Sequence, residues 1–393
     1  MRSSPWFLLI CGCLFVPASA QSSLRFKQPI PAAQMTAPLR PGHDRPDLRQ
    51  ALHNPAERRR FRAAMDSGTL QTLPYWQGSF TIGPTSYNYT ILGGNPQNSG
   101  NTKIKTVLVP LSITVSDYSL DGQNALVFDA TPVMAEVIGS PIFQVSNYLT
   151  GYQQFGDAML RAEFPTAPAN WHTILTPVIA ATVNITIAAG GAQVFQATNG
   201  TLFANILDDS AIDDAILNLL HAGQFTPDEY PIFISYNSSE HDALGYHAAI
   251  FQENQTQENV FAYTSWLDGL DTLFAPLPSP DAATLSHEVA ETLHDAFNGD
   301  LESLTLEWGD AFNHNKCFQS FIEVGDAVED AAAHTQLHQQ VVGFGSQAHV
   351  YTLQTEAMLP WFERKTPSDA LAGAYSFPDI WVLKQAAPYN CVP

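Results

Sequence analysis

The chain reads as an α+β protein built on a mixed sheet, with a β-rich N-terminal half, a more helical C-terminal half and a zincin-like active-site helix. Three observations lead there. From Tyr75 onward, short apolar or alternating runs are punctuated by Gly, Pro and Asn, which is the pattern of strands. Between them lie several segments with helical spacing of apolar residues. One of these, SHEVAETLHD at 286–295, gathers His287, Glu288, Glu291 and His294 within eight positions.

The first twenty residues have the order of a secretory signal: Arg2, the apolar run WFLLICGCLFV, then Ala18-Ser19-Ala20 as a small-residue cleavage site. The run is shorter than the ~20 residues of a membrane span, so the expectation is an exported, extracellular protein with no membrane span. Five N-glycosylation sequons begin at Asn88, Asn184, Asn199, Asn237 and Asn254 and agree with that route. Beyond the signal only Cys317 and Cys391 remain, an even pair that predicts a disulfide in an oxidising compartment. Two buried thiols are the alternative.

Residues 21–70 form a segment apart. Pro, Gln and Ser dominate 21–45, which predicts an unstructured tail. The stretch LRQALHNPAERRRFRAAMDSG is polar and helical in spacing. Arg58-Arg59-Arg60 fits either a processing site that frees a pro-segment or a basic arm lying on an acidic body. Nine of the 17 Lys and Arg fall between Arg25 and Arg62, which leaves seven basic and 35 acidic residues from 63 onward, a charge near −28. So acidic a surface repels phosphate backbones and argues against a nucleic-acid partner.

Residues 71–393 are expected to form one α+β body, with no repeat and no linker. Strands are predicted in 78–94, 102–115, 176–189, 192–198, 230–237 and 259–266. Helices are predicted in 130–144, 155–164 and 208–223, the last stopped by Gly223.

The helix at 279–299 carries the functional question. Ser279 is placed to cap it, Pro280 suits its first turn, Asp281 opposes its dipole and Gly299 stops it. Leu285, Val289, Leu293, Ala296 and Phe297 share one face, and every ionisable residue falls on the other. His287 and Glu291, one turn apart, can reach one ion, and both are ordinary zinc ligands. Glu288, about 100° around the helix, is placed as a general base rather than a ligand. This is the logic of H-E-x-x-H with Glu291 in the second His position. The extra carboxylate also admits calcium or manganese. The competing reading is an ordinary helix with a solvated polar face.

A third ligand is needed. Asp326 or Glu323, flanking Gly325 in IEVGDAVED, come first, on the expectation of a tight turn at that glycine. His294 and His247 are weaker candidates, His247 because a core histidine explains it equally. His334 and His338 repeat the four-residue spacing without further support. Trp361 and Phe362 can wall a cleft or fill a core.

LSHEVAETLHD followed by EVGDAVED resembles the paired signatures of a secreted H-E-x-x-E family of soil bacteria and fungi. DATPVMAEVIGSPIFQ, YQQFGDAMLRAEF and YTLQTEAMLPWFERKTPSDALAGAYSFPD extend the likeness in order across 105–380. A fainter similarity, through GYH, the helix and E-x-G-D, runs to plant phosphate-induced extracellular proteins. The resemblance implies roles for His287, Glu288 and Glu291 and for Glu323 with Asp326. It differs at His294-Asp295-Ala296, where the family shows Thr-Asp-Pro, so the helix is expected to run on. The expected function is a secreted metal-dependent hydrolase, peptidase-like, acting on a peptide or protein substrate with zinc. The alternative is a non-catalytic extracellular or cell-wall-associated binding protein with a structural metal or none.

Overall fold

The computed structural model describes residues 27–31, 34, 55–208, 210–241, 243–252, 256–269, 280–297, 306–309, 311–312, 317–320, 322–329 and 336–387. In chain order its main elements are α1 (Pro55–Asp66), β1 (Tyr75–Ile82), β2 (Thr85–Leu92), β3 (Gly100–Val115), β4 (Leu126–Asp129), α2 (Met134–Gly139) and α3 (Phe155–Glu163). There follow β5 (Trp171–Ile179), β6 (Val183–Ile187), β7 (Ala192–Gln196), β8 (Leu202–Ile206), α4 (Ser210–His221), β9 (Glu229–Tyr236), β10 (Gly245–Gln252) and β11 (Gln257–Trp266). The last set is α5 (Ala283–Asp295), β12 (Leu337–Val342), β13 (His349–Gln354), β14 (Glu356–Ala357), α6 (Leu359–Phe362) and β15 (Ser376–Phe377).

The mixed sheet is present, and its spine is the long strand β3. β9 and β4 line one side of it and β5 and β6 the other, with β11 and then β10 continuing the sheet beyond β9. β3, β5, β6, β9 and β11 run parallel, while β4 and β10 join antiparallel. Both faces are covered, so the central strands read as near-continuous apolar runs rather than alternating ones.

Period two still decides which side chain meets which layer. Leu108, Ile232, Ile234, Ala262 and Phe251 point to the core that contains Leu285, Val289 and Leu293 of α5. Val107, Val109, Phe233, Phe261 and Tyr246 point to the opposite core, filled by Ile212, Ile216 and Leu220 of α4. The sheet is thus sandwiched between α5 and α4.

Most predicted elements appear, including α4, with Gly223 at φ 66° just past its end. The last third departs from expectation. Residues 337–354, expected among more helical sequence, form the β12–β13 hairpin, so the helical weighting of the C-terminal half does not appear among the described residues. The N-terminal segment also differs where it is described. Lys27 pairs with Asp117 at 2.8 Å, Ile30 and Pro31 lie parallel to β7, and α1 sinks Phe61 edge-on against Phe251. Arg59 and Arg60 are exposed on that anchored helix. These contacts place helix and strand inside the segment read as separate.

Among the sequons, Asn184 and Asn199 are exposed and Asn88 is half-buried. Asn237 is buried, its side-chain amide donating to the Asp268 carbonyl at 3.0 Å. Asn254 and Cys391, and the side chain of Cys317, lie outside the described residues. No helix among the described residues is long and apolar enough to cross a membrane.

Phe233 tests the sandwich, since its ring sits edge-on to both Phe225 and Phe261 in the α4-side core. Phe233→Ala is expected to cost about 3–5 kcal/mol, read as a lowered urea midpoint. A loss below about 0.5 kcal/mol, the range of ordinary surface changes, contradicts the layer assignment.

Candidate metal centre

The polar face of α5 is not wet. Every residue from Ala283 to Asp295 is buried, with His287 and Glu288 at 0 % and Glu291 at 3 % exposure. Two packed faces explain this. The apolar face packs into the surrounding core, and the ionisable face is closed in by β10 at the sheet's edge, the 322–328 turn and the β13–β14 segment. Uncompensated charge in such a place is costly, so each ionisable group needs a partner.

The helix is held by polar ties at both ends. Asp281, at φ 43°, accepts the Ala282 amide and also the Thr352 amide at 2.7 Å. It therefore joins the helix start to β13; Ser279, expected to cap the helix, lies outside the described residues. In the next turn the Ser286 hydroxyl accepts the Gln354 amide at 2.8 Å. Gln354 in turn donates to the Gly325 carbonyl at 2.9 Å and to Glu356 at 3.3 Å. One residue, through its backbone amide and its side chain, thus clamps the helix, the turn and β14 together.

His287, Glu291 and Asp326 meet as the spacing predicts. His287 Nε2 lies 3.1 Å from Glu291 Oε2 and 3.7 Å from Asp326 Oδ1. Glu291 Oε1 accepts the Gly325 and Asp326 amides at 3.1 and 3.2 Å, which fixes the carboxylate and leaves Oε2 facing the imidazole. Burial by itself would raise the Glu291 pKa, but His287 and His247 hold it well below the carboxylate range.

Gly325 is required, though not for the tight turn expected of it. Its backbone is ordinary right-handed helical, φ −79°. A Cβ there would stand 2.3 Å from His287 Nδ1, so the glycine lets the turn close over the ring. Gly245 does the same for Glu288, whose Oε1 would lie 2.5 Å from a Cβ at that position.

His247 belongs to the centre. β10 alternates Tyr246, Ala248 and Ile250 toward the α4 side, so His247 faces α5. Its Nδ1 stands 3.6 Å from Glu288 Oε2 and 3.5 Å from Glu291 Oε2, and its Nε2 stands 3.8 Å from Glu323 Oε2. Three sets of donors result: His247, Glu288 and Glu291; His247, Asp295 and Glu323; and His287, Glu291 and Asp326, each with ligand atoms within 4.8 Å of one another. These buried His/Glu/Asp groupings can hold a metal ion.

Electrostatics point the same way. The buried imidazoles of His247 and His287 are opposed by desolvation but pulled toward the cation by surrounding carboxylates, and both end with raised pKa values. Burial pushes Glu288 up to about 7 and Glu356 up to about 8. No Lys or Arg among the described residues forms an ion pair with Glu288, Glu291 or Glu356. Glu356, Asp295 and the importance of His247 were not evident from sequence. The one available signal was a glycine two residues before His247 and another two after Glu323.

His294 is placed otherwise. Its Nδ1 donates to the Ala290 carbonyl at 2.6 Å and its Nε2 pairs with Glu163 at 2.8 Å. Both nitrogens are committed to an imidazolium, so it is a strut between α5 and α3 and not a ligand. His338 sits in strand β12, and His334 lies outside the described residues. Trp361 and Phe362 are core residues, packed edge-on against Trp308. Comparison with protein-family models, with curated proteins and with solved structures gives no match to this chain.

Two outcomes follow. Gly325→Ala is expected to lower metal affinity about 10- to 100-fold, as displacing a ligand's support does, read by competition with a metal-binding dye. Unchanged affinity would remove Gly325 from the account. The His294 pair gives a pH signature. Desolvation opposes its charge, Glu163 more than restores it, and the folded pKa is raised. The stability it contributes is therefore complete below about pH 6.5, the unfolded value, and is lost as pH rises through the folded value. The urea-midpoint gap between wild type and Glu163→Gln should be widest near pH 6 and shrink toward alkaline pH; a gap that grows contradicts the assignment.

Proposed function

We propose that the protein is a secreted metal-dependent hydrolase, peptidase-like, with zinc as the leading metal and calcium or manganese as alternatives. One observation carries the reading. Glu288 is fully buried beside the donor set, yet neither of its oxygens has a hydrogen-bond partner. A hydrolase needs a proton acceptor beside its metal, and a buried carboxyl with no hydrogen bond committed elsewhere can serve as one.

His287 and Glu291 would hold the metal, with Asp326 nearest to complete the set and Glu323 and His247 adjacent. A bound zinc supplies Lewis-acid polarisation and lowers the pKa of its water toward ~7. The chain's own contribution is positional. The Gly325 and Asp326 amides hold Glu291 in one rotamer, Gly325 admits the His287 ring, and Gly245 makes room for Glu288. Glu288 takes and returns the proton, and a carboxyl near neutrality suits that task. The likeness to the secreted H-E-x-x-E family supports the same roles, and export, a Cys317–Cys391 disulfide and glycosylation at exposed sequons belong to this reading.

A second reading has an observation in its favour. Apart from Asp326, at 23 % side-chain exposure, the donors are almost wholly shielded, as in a closed structural site. The protein would then be an extracellular or wall-associated binding protein steadied by its ion.

Glu288→Gln separates the two. The hydrolase reading predicts that this variant keeps its zinc while cleavage of a mixed peptide library, followed by mass spectrometry, falls by about 10²–10⁴-fold, and that Glu291→Ala loses the metal. A wild type that binds zinc but cleaves nothing, and unfolds when the zinc is chelated, favours the structural ion.

A further inference from the structure

A second concave site lies away from the metal centre. The β1–β2 hairpin, Phe164 just past α3 and the residues after α6 enclose a cleft of about 550 Å³, a size typical of small-ligand sites. None of the metal centre's donors lines it.

One wall of the cleft is aromatic. Trp76, half-buried, is met edge-on by Tyr89 at 5.9 Å and by Phe164 at 6.2 Å. Tyr89 pairs with Gly78 across the hairpin, and a Cβ on that glycine would stand 2.3 Å from the phenol oxygen. The glycine therefore lets the ring reach across the neighbouring strand. Tyr89 is 5 % exposed, yet its hydroxyl makes no hydrogen bond among the described residues. A buried Tyr hydroxyl ordinarily finds a partner, and this one belongs to a residue that lines the cleft. Burial and the nearby Glu363 raise its pKa, so the phenol stays a donor at neutral pH.

Glu363 supplies an acceptor. It is 9 % exposed, and its Oε2 accepts from Lys365 at 2.7 Å. Oε1 makes no hydrogen bond among the described residues. Lys365 also reaches Asp369 at 2.6 Å. Among the described residues, Glu363 and Lys365 are the only charged groups lining the cleft, and they neutralise each other. Neither an anion nor a cation finds an unbalanced charge there. A purely apolar ligand would leave the phenol and the carboxylate desolvated without partners, which is costly.

We propose that this cleft binds a neutral saccharide of one or two pyranose rings through Trp76, Tyr89 and Glu363. A pyranose has an apolar C–H face that rests against aromatic side chains, and hydroxyls that both donate and accept. The Tyr89 hydroxyl donates to one sugar oxygen, and Glu363 Oε1 accepts from a sugar hydroxyl. The site goes beyond the metal-centre reading and does not depend on it.

The test is calorimetric titration of the full-length protein with cellobiose, mannobiose and chitobiose. A bacterial host supplies the protein, so that Asn88, which also lines the cleft, carries no glycan. At least one disaccharide is expected to bind with a Kd of about 1 mM or tighter. Tyr89→Phe, which keeps the buried ring, is expected to weaken that binding about tenfold, the effect of one hydrogen bond. Should that variant fail to fold, Thr166→Trp at the exposed rim is expected to block the cleft and abolish binding. No heat from any of the three sugars overturns the proposal, as does binding that both variants leave unchanged. Tighter binding of glucuronic acid than of glucose overturns the neutral class of ligand.

Discussion

The constraint on which this structure turns is the burial of an ionisable helix face. α5 sends its apolar side chains into the core and buries His287, Glu288, Glu291, His294 and Asp295 as well, closed in by β10, α3 and later segments. An interior carboxylate left alone is strongly disfavoured, so the neighbourhood of α5 is arranged around compensation. His294 receives its partner from α3, Glu291 receives two backbone amides and two imidazoles, and Asp281 receives amides from the helix start and from β13. What the hydrogen bonds do not supply is a partner for Glu288, and the ring of His287 has only its 3.1 Å approach to Glu291. That shortfall, in a cluster that mixes imidazoles with carboxylates, is what allows the cluster to hold a metal ion.

The architecture provides both rigidity and convergence. Parallel strands buried on both faces hold β10 and β11 firmly, and period two on β10 sends His247 to the α5 side. From the other direction, the 322–328 turn is pinned by Gln354 and by the Ala357 amide, which donates to the Val324 carbonyl at 2.8 Å. Donors thus come from a helix, a strand and a turn far apart in sequence. The two close approaches, at Gly245 and Gly325, allow them to share one small volume.

Much of this was legible in the sequence, and the reasons for the rest are physical. The helix, its two faces and the pairing of His287 with Glu291 follow from 3.6-residue spacing, and Asp326 follows from its place beside a glycine. What covers the polar face did not follow, because the cover comes from segments dozens of residues away on both sides of the helix that carry no periodic signal for it. His247 was hard to weigh because a strand buried on both faces shows no polar alternation to mark which side a residue serves. Glu356 sits in a two-residue strand whose pairing with β15 is decided by tertiary packing alone. Gly325 showed its importance but not its cause, since close approach and positive φ leave the same letter in a sequence.

The central claim is that the roofed face of α5 is a metal centre, and the most direct check is X-ray absorption on protein purified from zinc-replete medium without chelator. The account predicts bound zinc with a first shell of nitrogen and oxygen at about 2.0–2.2 Å and the outer-shell scattering of imidazole. Protein that carries no metal, or a shell dominated by sulfur, would contradict it.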